Sequence, residues 1–278
     1  MSRVVQVIHG ERERARSLAA QSREWLVERG HDVVDVAAID VDFRAAPAAA
    51  DGADLVISFG GDGTMLRAVQ VALSQNALVL GVNLGRLGYL AMVEPDALLA
   101  ALEHVLVSGA RVEERMTLAV SVERPGHPAE LVTAFNEAAV ERAEPGRTVG
   151  LAVSIGGEFF SRYTADGMIV ATPTGSTGYN LSAGGPIVSP HASMMVMTPV
   201  APHSLFDRSL ILTADDEIVI EVVAERRAVV SIDGLRVAEL AGGERVRCTQ
   251  GARPLRLVRV DGQGFHQVLK TKFQLADR

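Results

Sequence analysis

Residues 54–73 read DLVISFGGDGTMLRAVQVAL. Leu55, Val56, Ile57 and Phe59 form a short apolar run that predicts a buried strand. Gly60-Gly61-Asp62-Gly63-Thr64 breaks it, and Met65, Leu66, Val69, Val71, Ala72 and Leu73 then recur at helical spacing. Strand, glycine loop and helix start together make a phosphate-binding geometry. Gly60, Gly61 and Gly63 let the main chain approach a ligand that a Cβ would push away. A helix beginning near Thr64 aims free N–H groups and the positive end of its dipole at that ligand. Asp62 is out of place in a loop built only for anions, because a carboxylate repels phosphate. It fits if it holds a metal between phosphates, or takes the proton of an attacking hydroxyl. An ordinary strand-to-helix turn, where Gly and Asp are common, fits the same letters. The loop is not a GxGxxG, and no GxxxxGK followed by Ser or Thr occurs in the chain.

Outward from this stretch, residues 4–8, 33–36 and 78–82 predict further strands. Residues 11–29 predict an amphipathic helix closed by Gly30, and 95–107 a helix with Pro95 in its first turn. Residues 43–51 are Ala-rich and read as a loose loop or short helix. This alternation implies an α/β domain over residues 1–110, a parallel sheet with helices on both faces. The character changes near Arg111. Strand-like runs at 118–122, 131–135, 151–155, 168–171, 194–197, 218–223, 229–232, 246–248 and 255–260 imply a β-rich second domain over 111–260. Pro125-Gly126, Gly156-Gly157, Asp166-Gly167 and Asp233-Gly234 read as its turns. One helix near 178–183 interrupts it, and 265–275 predicts a closing amphipathic helix.

The chain has 278 residues, nearly half of them apolar, enough for one large domain or two ordinary ones. A net charge of −7 argues against a nucleic-acid or anionic-membrane surface. Cys248 is the only cysteine, so no intrachain disulfide can form and a reducing cytosol fits. The N-terminal residues carry no signal-peptide pattern, and no apolar run reaches the ~18 residues of a transmembrane span. The seven histidines are scattered, without HExxH or Cys/His pairing, so no protein metal cage is expected.

Beyond the glycine loop, five more segments carry a pattern: Asn83-Leu84-Gly85, Leu87-Gly88-Tyr89-Leu90, Asn136-Glu137, the 21-residue run DGMIVATPTGSTGYNLSAGGP at 166–186, and TPVAPHSL at 198–205. With these the chain resembles the NAD kinases, which phosphorylate NAD to NADP. The glycine loop alone is shared with lipid kinases and phosphofructokinases; the long run makes the likeness specific. The resemblance implies transfer of the γ-phosphoryl group of ATP, or of polyphosphate, to the 2′-hydroxyl of NAD's adenosine ribose, with Mg²⁺ carried on the donor. It implies Asp62 as general base with Gly63 beside it on the nucleotide, and Arg67 helping to hold phosphate. Asn136 and Glu137 would hydrogen-bond NAD, and Arg147 and Asp166 match further contact positions. Thr177, Gly178, Tyr179, Asn180, Leu181 and Ser182 would line the adenine pocket, Tyr179 against the ring, with Ala201 beside them. The family's fold is an α/β domain followed by a β-sandwich-like domain, with the C-terminal segment, here about 261–278, returning to the first; a dimer or tetramer is implied. One position departs: some relatives carry a polar residue where this chain has Leu235.

The same residues have plainer readings. Asn136-Glu137 inside an apolar run costs energy if buried without partners, which ribose hydroxyls would supply, yet an ordinary strand end also fits. The hydroxyls of 172–177 suit helix capping as well as close packing of a nucleotide. Asp166-Gly167 alone is a tight turn, Tyr179 alone a core aromatic, and the charges of 11–29 a solvated helix face. Two competing functions remain at this level. A lipid or sugar kinase would use the same loop, but a lipid kinase would show a basic or apolar membrane-facing patch. A protein that senses NAD(P) without turnover would gain nothing from Asp62.

Overall fold

The computed structural model describes residues 1–41, 48–85, 90, 93–109, 111–223, 226–260 and 264–275. Part of the expected loop at 43–51, and Leu87-Gly88-Tyr89, lie outside the described residues. The chain opens with β1 (Arg3–Ile8), α1 (Glu13–Glu28), β2 (Asp32–Ala37), β3 (Leu55–Gly60), α2 (Asp62–Gln75), β4 (Leu78–Asn83), α3 (Leu98–Glu103) and β5 (Arg111–Arg115). It continues with β6 (Leu118–Glu123), β7 (Glu130–Ala134), β8 (Glu137–Arg142), β9 (Val149–Ile155), β10 (Glu158–Ala165) and β11 (Gly167–Ala171). Then come α4 (Tyr179–Ser182), β12 (Met194–Val200), β13 (Leu210–Thr213), β14 (Ile218–Val222), β15 (Ala228–Ile232), β16 (Leu235–Leu240), β17 (Arg245–Gln250), β18 (Leu255–Arg259) and α5 (Phe265–Phe273). Two compact units result: Met1–Arg115 with Leu255–Arg278, and Met116–Pro254.

In the first unit six strands lie in the order β2-β1-β3-β4-β18-β5, parallel except for the antiparallel edge strand β5. Val4, Leu55, Ile57, Phe59, Leu80 and Val82 pack on one face against Ala15, Ala19 and Leu26 of α1 and Leu98, Ala101 and Leu102 of α3. Val5, Val7, Val56 and Val79 alternate with these, are equally buried and face the other way. Helix α2 packs along β1, β3 and β4 there, with Met65, Ala68, Val69 and Ala72 buried. Helices therefore cover both faces, as the apolar spacing predicts. From β1 the chain winds outward through β2 on one side and through β3 and β4 on the other. The carboxyl ends of β1 and β3 thus form a topological switch point, where sheets of this kind bind ligands.

Two details differ from expectation. The single helix expected over 95–107 is a 3₁₀ turn at Pro95–Ala97, then α3, then wider π-type turns at His104–Gly109. Val105 and Val107, stiff at Cβ, and Gly109 sit in that loosened end. The units also divide after Arg115 and after Pro254, rather than at 110 and 260. The residues between are β5 and β18, which pair with each other, Leu255 opposite Arg115. Strand β5 reads RVEER, charged as suits a sheet edge, and so hides from an apolar-pattern search.

The second unit holds two antiparallel six-stranded sheets, β10-β9-β14-β17-β6-β7 and β13-β12-β11-β8-β15-β16. Their facing residues form one core that includes Leu118, Leu151, Tyr163, Met168, Met195, Ile220, Val230 and Val246. The β8-containing sheet is buried on its outer side as well. There Ala139, Ile169, Ala171 and Val196 are covered by Val188, Tyr179 and Ala183 of the segment after β11. Four strands were not expected: β8, β10, β13 and β16. The reason is clearest for β8, whose EAAVER carries two alanines and, being covered on both faces, shows no alternation. Gly126, Gly156, Gly157 and Gly234 have φ between 58° and 84°, as turns require. Asp166-Gly167 is not a tight turn. It is the passage from β10 of one sheet to β11 of the other, and Gly167 is small because an added Cβ would stand 2.7 Å from the Val140 carbonyl.

Candidate active site

The glycine loop closes β3 and opens α2 at the switch point of the first unit. Gly60 is required by packing: a Cβ there would lie 2.2 Å from Oγ1 of the buried Thr64. Gly61 and Gly63 differ, since nothing stands within 4 Å of a Cβ added at either, and neither has positive φ. Among the described residues no contact requires them to be glycine. Asp62 is the first residue of α2 and is exposed. Enough protein still surrounds its carboxyl to push its pKa up by loss of solvation, while the charge of Lys272 on α5 pulls it down. A carboxylate made more basic in this way is better matched to accepting a proton near neutrality. Arg67, one turn along, donates to the Val41 carbonyl at 2.6 Å, which fixes where its guanidinium sits. At the neighbouring strand end Asn83 donates to Glu94 at 3.2 Å and accepts the Gly85 N–H at 3.1 Å.

In the second unit, Asn136, Glu137 and Gly178 come together although the last two are 41 positions apart in the chain. A Cβ on Gly178 would stand 3.1 Å from Glu137 Oε2 and 4.0 Å from Asn136 Nδ2. Gly175 packs so tightly on the Asn136 carbonyl that a Cβ would lie 2.0 Å from it. Glu137 is buried and its Oε2 has no hydrogen-bond partner among the described residues. Burial, helped by the nearby charge of Asp233, pushes its pKa up to about 8, against the pull of the Tyr179 main-chain N–H. A buried polar atom of this kind calls for a partner that the described residues do not supply. Tyr179 runs along β8 on the same face: its hydroxyl donates to Glu141 at 2.7 Å, two alternations beyond Glu137. Burial and that bond push the phenol up to about 12.

The hydroxyls of 172–177 do not cap α4, whose N-cap Gly178 offers no side chain. They hold the loop instead. Thr172 donates to the Phe135 carbonyl at 2.7 Å, and Ser176 donates to the Pro173 carbonyl at 2.6 Å and accepts the Val188 N–H at 3.0 Å. Thr177 donates to Thr174. Asn180 is fully buried; its Nδ2 donates to the carbonyls of Ser176 and Pro186 and its Oδ1 accepts the Thr198 hydroxyl. Its side chain is thus committed to the loop's shape. Leu181 is half-buried and Ser182 exposed.

The remaining expected residues lie at the other end of β8. Asp166 pairs with Arg142 at 3.3 Å, and its N–H donates to the Val200 carbonyl at 2.9 Å, which sets Ala201 beside it. Ala201 has φ 44°, a left-handed conformation costly for a residue with a Cβ. Arg147, in the β8–β9 turn, is well exposed and sits 3.7 Å from Glu144. Both line an open recess of about 670 Å³ together with Thr164 and Arg226. Five strand steps of ~3.4 Å put that end roughly 17 Å from Glu137. Asp233, Glu141 and Lys272 were not expected. Asp233 was read only as a turn residue, and its partners lie about a hundred positions away in sequence.

Glu137 also makes a ligand-free prediction. Its proton is held more tightly in the folded state, about 8, than the ~4.3 of a free glutamate. Stability from this group is therefore complete below the free value and is lost as pH rises through about 8. Glu137→Gln keeps the neutral form at every pH. Urea unfolding at pH 5, 7 and 9 is expected to show the variant gaining on the wild type with pH, by on the order of a few kcal/mol. Parallel pH curves would show that Glu137 ionises without cost.

A glycine loop at a switch point and a carboxylate of raised basicity at the helix start that follows suit a phosphotransferase. Comparison with known proteins gives the class a family. Residues 4–110 match the ATP-NAD kinase N-terminal domain and residues 135–260 the ATP-NAD kinase C-terminal domain. An NAD kinase of Lachnoclostridium phytofermentans is 39% identical over 227 residues, covering 79% of this chain and 80% of that one. A crystal structure of yeast NADH kinase complexed with NADH covers 100% of this chain and 89% of its own, at a TM-score of 0.87 and 25% identity. An Archaeoglobus fulgidus NAD kinase in complex with ATP shares the fold, at a TM-score of 0.78 and 24% identity, with 98% of each chain covered. The chain belongs to the ATP-NAD kinase family, and its activity is that of an NAD kinase. No helix among the described residues is long and apolar enough to cross a membrane.

Proposed function

We propose that this chain transfers the γ-phosphoryl group of ATP to the 2′-hydroxyl of the adenosine ribose of NAD, giving NADP and ADP. Asp62 takes the hydroxyl proton as the new O–P bond forms and the bond from the γ-phosphorus to the bridging oxygen breaks. The glycine loop and the first N–H groups of α2 receive donor phosphate, with Arg67 alongside. Asn136 and Glu137 hold the ribose, the segment from Thr177 to Ser182 shapes the adenine pocket, and Arg147, Asp166 and Ala201 supply outer contacts. The single observation that carries this reading is Asp62: a carboxylate at the switch-point helix start, its pKa raised, flanked by two glycines that no contact among the described residues demands.

Mg²⁺ fits this donor set. Among the described residues no three His, Cys, Asp or Glu side chains gather as a metal cage. Mg²⁺ carried on the donor phosphates keeps several of its own waters and needs no such cage, which leaves Asp62 to take the proton. Bound there, it would neutralise charge on the donor. The patch of Phe160 and Phe206, stacked edge to face at 5.9 Å, with exposed Phe159 and Leu205, supports a homo-oligomer.

Phosphorus NMR of the product formed from NAD, ATP and Mg²⁺ tests the reaction. A 2′-phosphomonoester on the adenosine ribose is expected. A phosphate at any other hydroxyl, or transfer from polyphosphate but not from ATP, would overturn it. The glycines give a second test. Gly60→Ala is expected to lower the melting temperature, because Thr64 must move. Gly63→Ala should be neutral or stabilising by up to ~1 kcal/mol, since it lies in open space within a helix. Gly61→Ala and Gly63→Ala should nevertheless raise KM for ATP about tenfold, with KM for NAD little changed. Equal rises for both substrates, with a lower melting temperature, would make these glycines residues of the fold.

A further inference from the structure

Asn136 and Glu137 lie where the chain passes from β7 in one sheet to β8 in the other. Main-chain groups in such a passage lose regular ladder partners, yet each one from Phe135 to Glu137 is held, and two residues hold all of them. Asp233 Oδ1 accepts the N–H of Asn136 at 2.7 Å and those of Phe135 and Glu137 at 3.2 Å each, and its Oδ2 accepts Phe135 at 2.9 Å. The N–H of Asp233 donates back to the Glu137 carbonyl at 3.0 Å. Thr172 completes the set, its hydroxyl on the Phe135 carbonyl at 2.7 Å and its N–H on the Asn136 carbonyl at 2.8 Å.

Asp233 stands at φ 49° before Gly234 at φ 79°, in the turn from β15 to β16. Asn suits that turn equally well. What Asn lacks is a second acceptor oxygen: its NH₂ would meet an N–H. The carboxylate is therefore explained by the passage it faces and not by the turn it occupies. Asp233 is buried, and a buried carboxylate needs this many N–H donors to remain charged.

We propose that Asp233 is the positioning residue of the acceptor site, its carboxylate clamping three successive N–H groups so that the side chains of Asn136 and Glu137 are aimed at NAD before it binds. This rests on the reading that Asn136 and Glu137 hold NAD. The clamp has a second consequence. Three kinds of group bear on Glu137: the Asp233 charge from the β15–β16 turn and the Glu141 charge on its own strand oppose its ionisation, and the Tyr179 N–H from α4 favours it. If NAD prefers the ionised form, affinity rises with pH towards a midpoint near 8, and Asp233 sets how high that midpoint lies.

The test compares NAD titrations by calorimetry, across pH 6 to 9.5, for wild type, Asp233→Asn, Glu137→Gln and Asp216→Asn. Asp216 is a control: a half-buried turn carboxylate that accepts the Thr213 N–H and hydroxyl. Asp233→Asn is expected to weaken NAD at least ~tenfold, to move the pH midpoint down, and to leave kcat at saturating NAD and KM for ATP within about threefold. Asp216→Asn should change none of these. Unchanged NAD affinity and an unmoved midpoint in Asp233→Asn, when Glu137→Gln does weaken NAD, would overturn the positioning role and leave the NAD-binding reading intact. Unchanged affinity in Glu137→Gln would instead sink that reading itself. Should Asp233→Asn fail to fold, the wild type decides. Amide hydrogen exchange of residues 135–137 is expected to be as slow as that of the core strands, and fast exchange there would refute the clamp.

Discussion

Asp62→Asn is expected to lower turnover by at least ~10²-fold while leaving NAD affinity within about threefold. The substitution keeps size and one acceptor oxygen, so the start of α2 and the adjoining glycines should be undisturbed. It removes the group that can carry the proton. An alcohol is a weak nucleophile near neutrality, and a positioned base contributes ~10²–10⁴-fold to such a step. Loss of solvation raises the Asp62 pKa and Lys272 lowers it. Replacing Lys272 with Met should therefore move the acidic limb of the wild-type pH–rate profile upward. Near-normal turnover in Asp62→Asn would leave Asp62 a turn residue, and a large loss of NAD affinity would make it a binding group.

Glu137→Gln is expected to raise KM for NAD by about tenfold or more at pH 9, and by less at pH 6.5, with KM for ATP and kcat little changed. An ionised carboxylate accepts from two ribose hydroxyls, whereas an amide offers one acceptor and an NH₂. Losing one hydrogen bond to a charged group costs on the order of 1–3 kcal/mol. The pH dependence follows from the pKa of about 8: at pH 6.5 the wild type is itself the neutral acid, which glutamine resembles. Steady-state kinetics at the two pH values reads it. A penalty that is the same at both would mean that the ligand contacts the neutral acid.

The glycine loop was legible because its letters change character over five residues, and the strand and helix around it follow from apolar spacing alone. So was the two-part fold, since period changes near Arg111. Two of the strands that escaped notice lacked a period: β5 is charged because it lies at an edge, and β8 is alanine-rich and covered on both faces. Asn136 and Glu137 stood out as polar residues in an apolar run, but what holds them could not be read. Asp233 is 97 positions from Asn136, and its Asp-Gly pair has a complete local explanation as a turn. Asn180 shows the opposite limit: a motif letter marks the segment, and only the hydrogen bonds show that its side chain is used inside the loop.

Calorimetric titration of NAD into wild type, Asp62→Asn and Glu137→Gln at pH 9 tests the division of labour most directly. Asp62 and Glu137 belong to different units, one assigned the proton and the other the acceptor. Asp62→Asn is expected to bind NAD like the wild type, and Glu137→Gln at least about tenfold more weakly. The reverse order, weak binding in Asp62→Asn and wild-type binding in Glu137→Gln, would contradict the account.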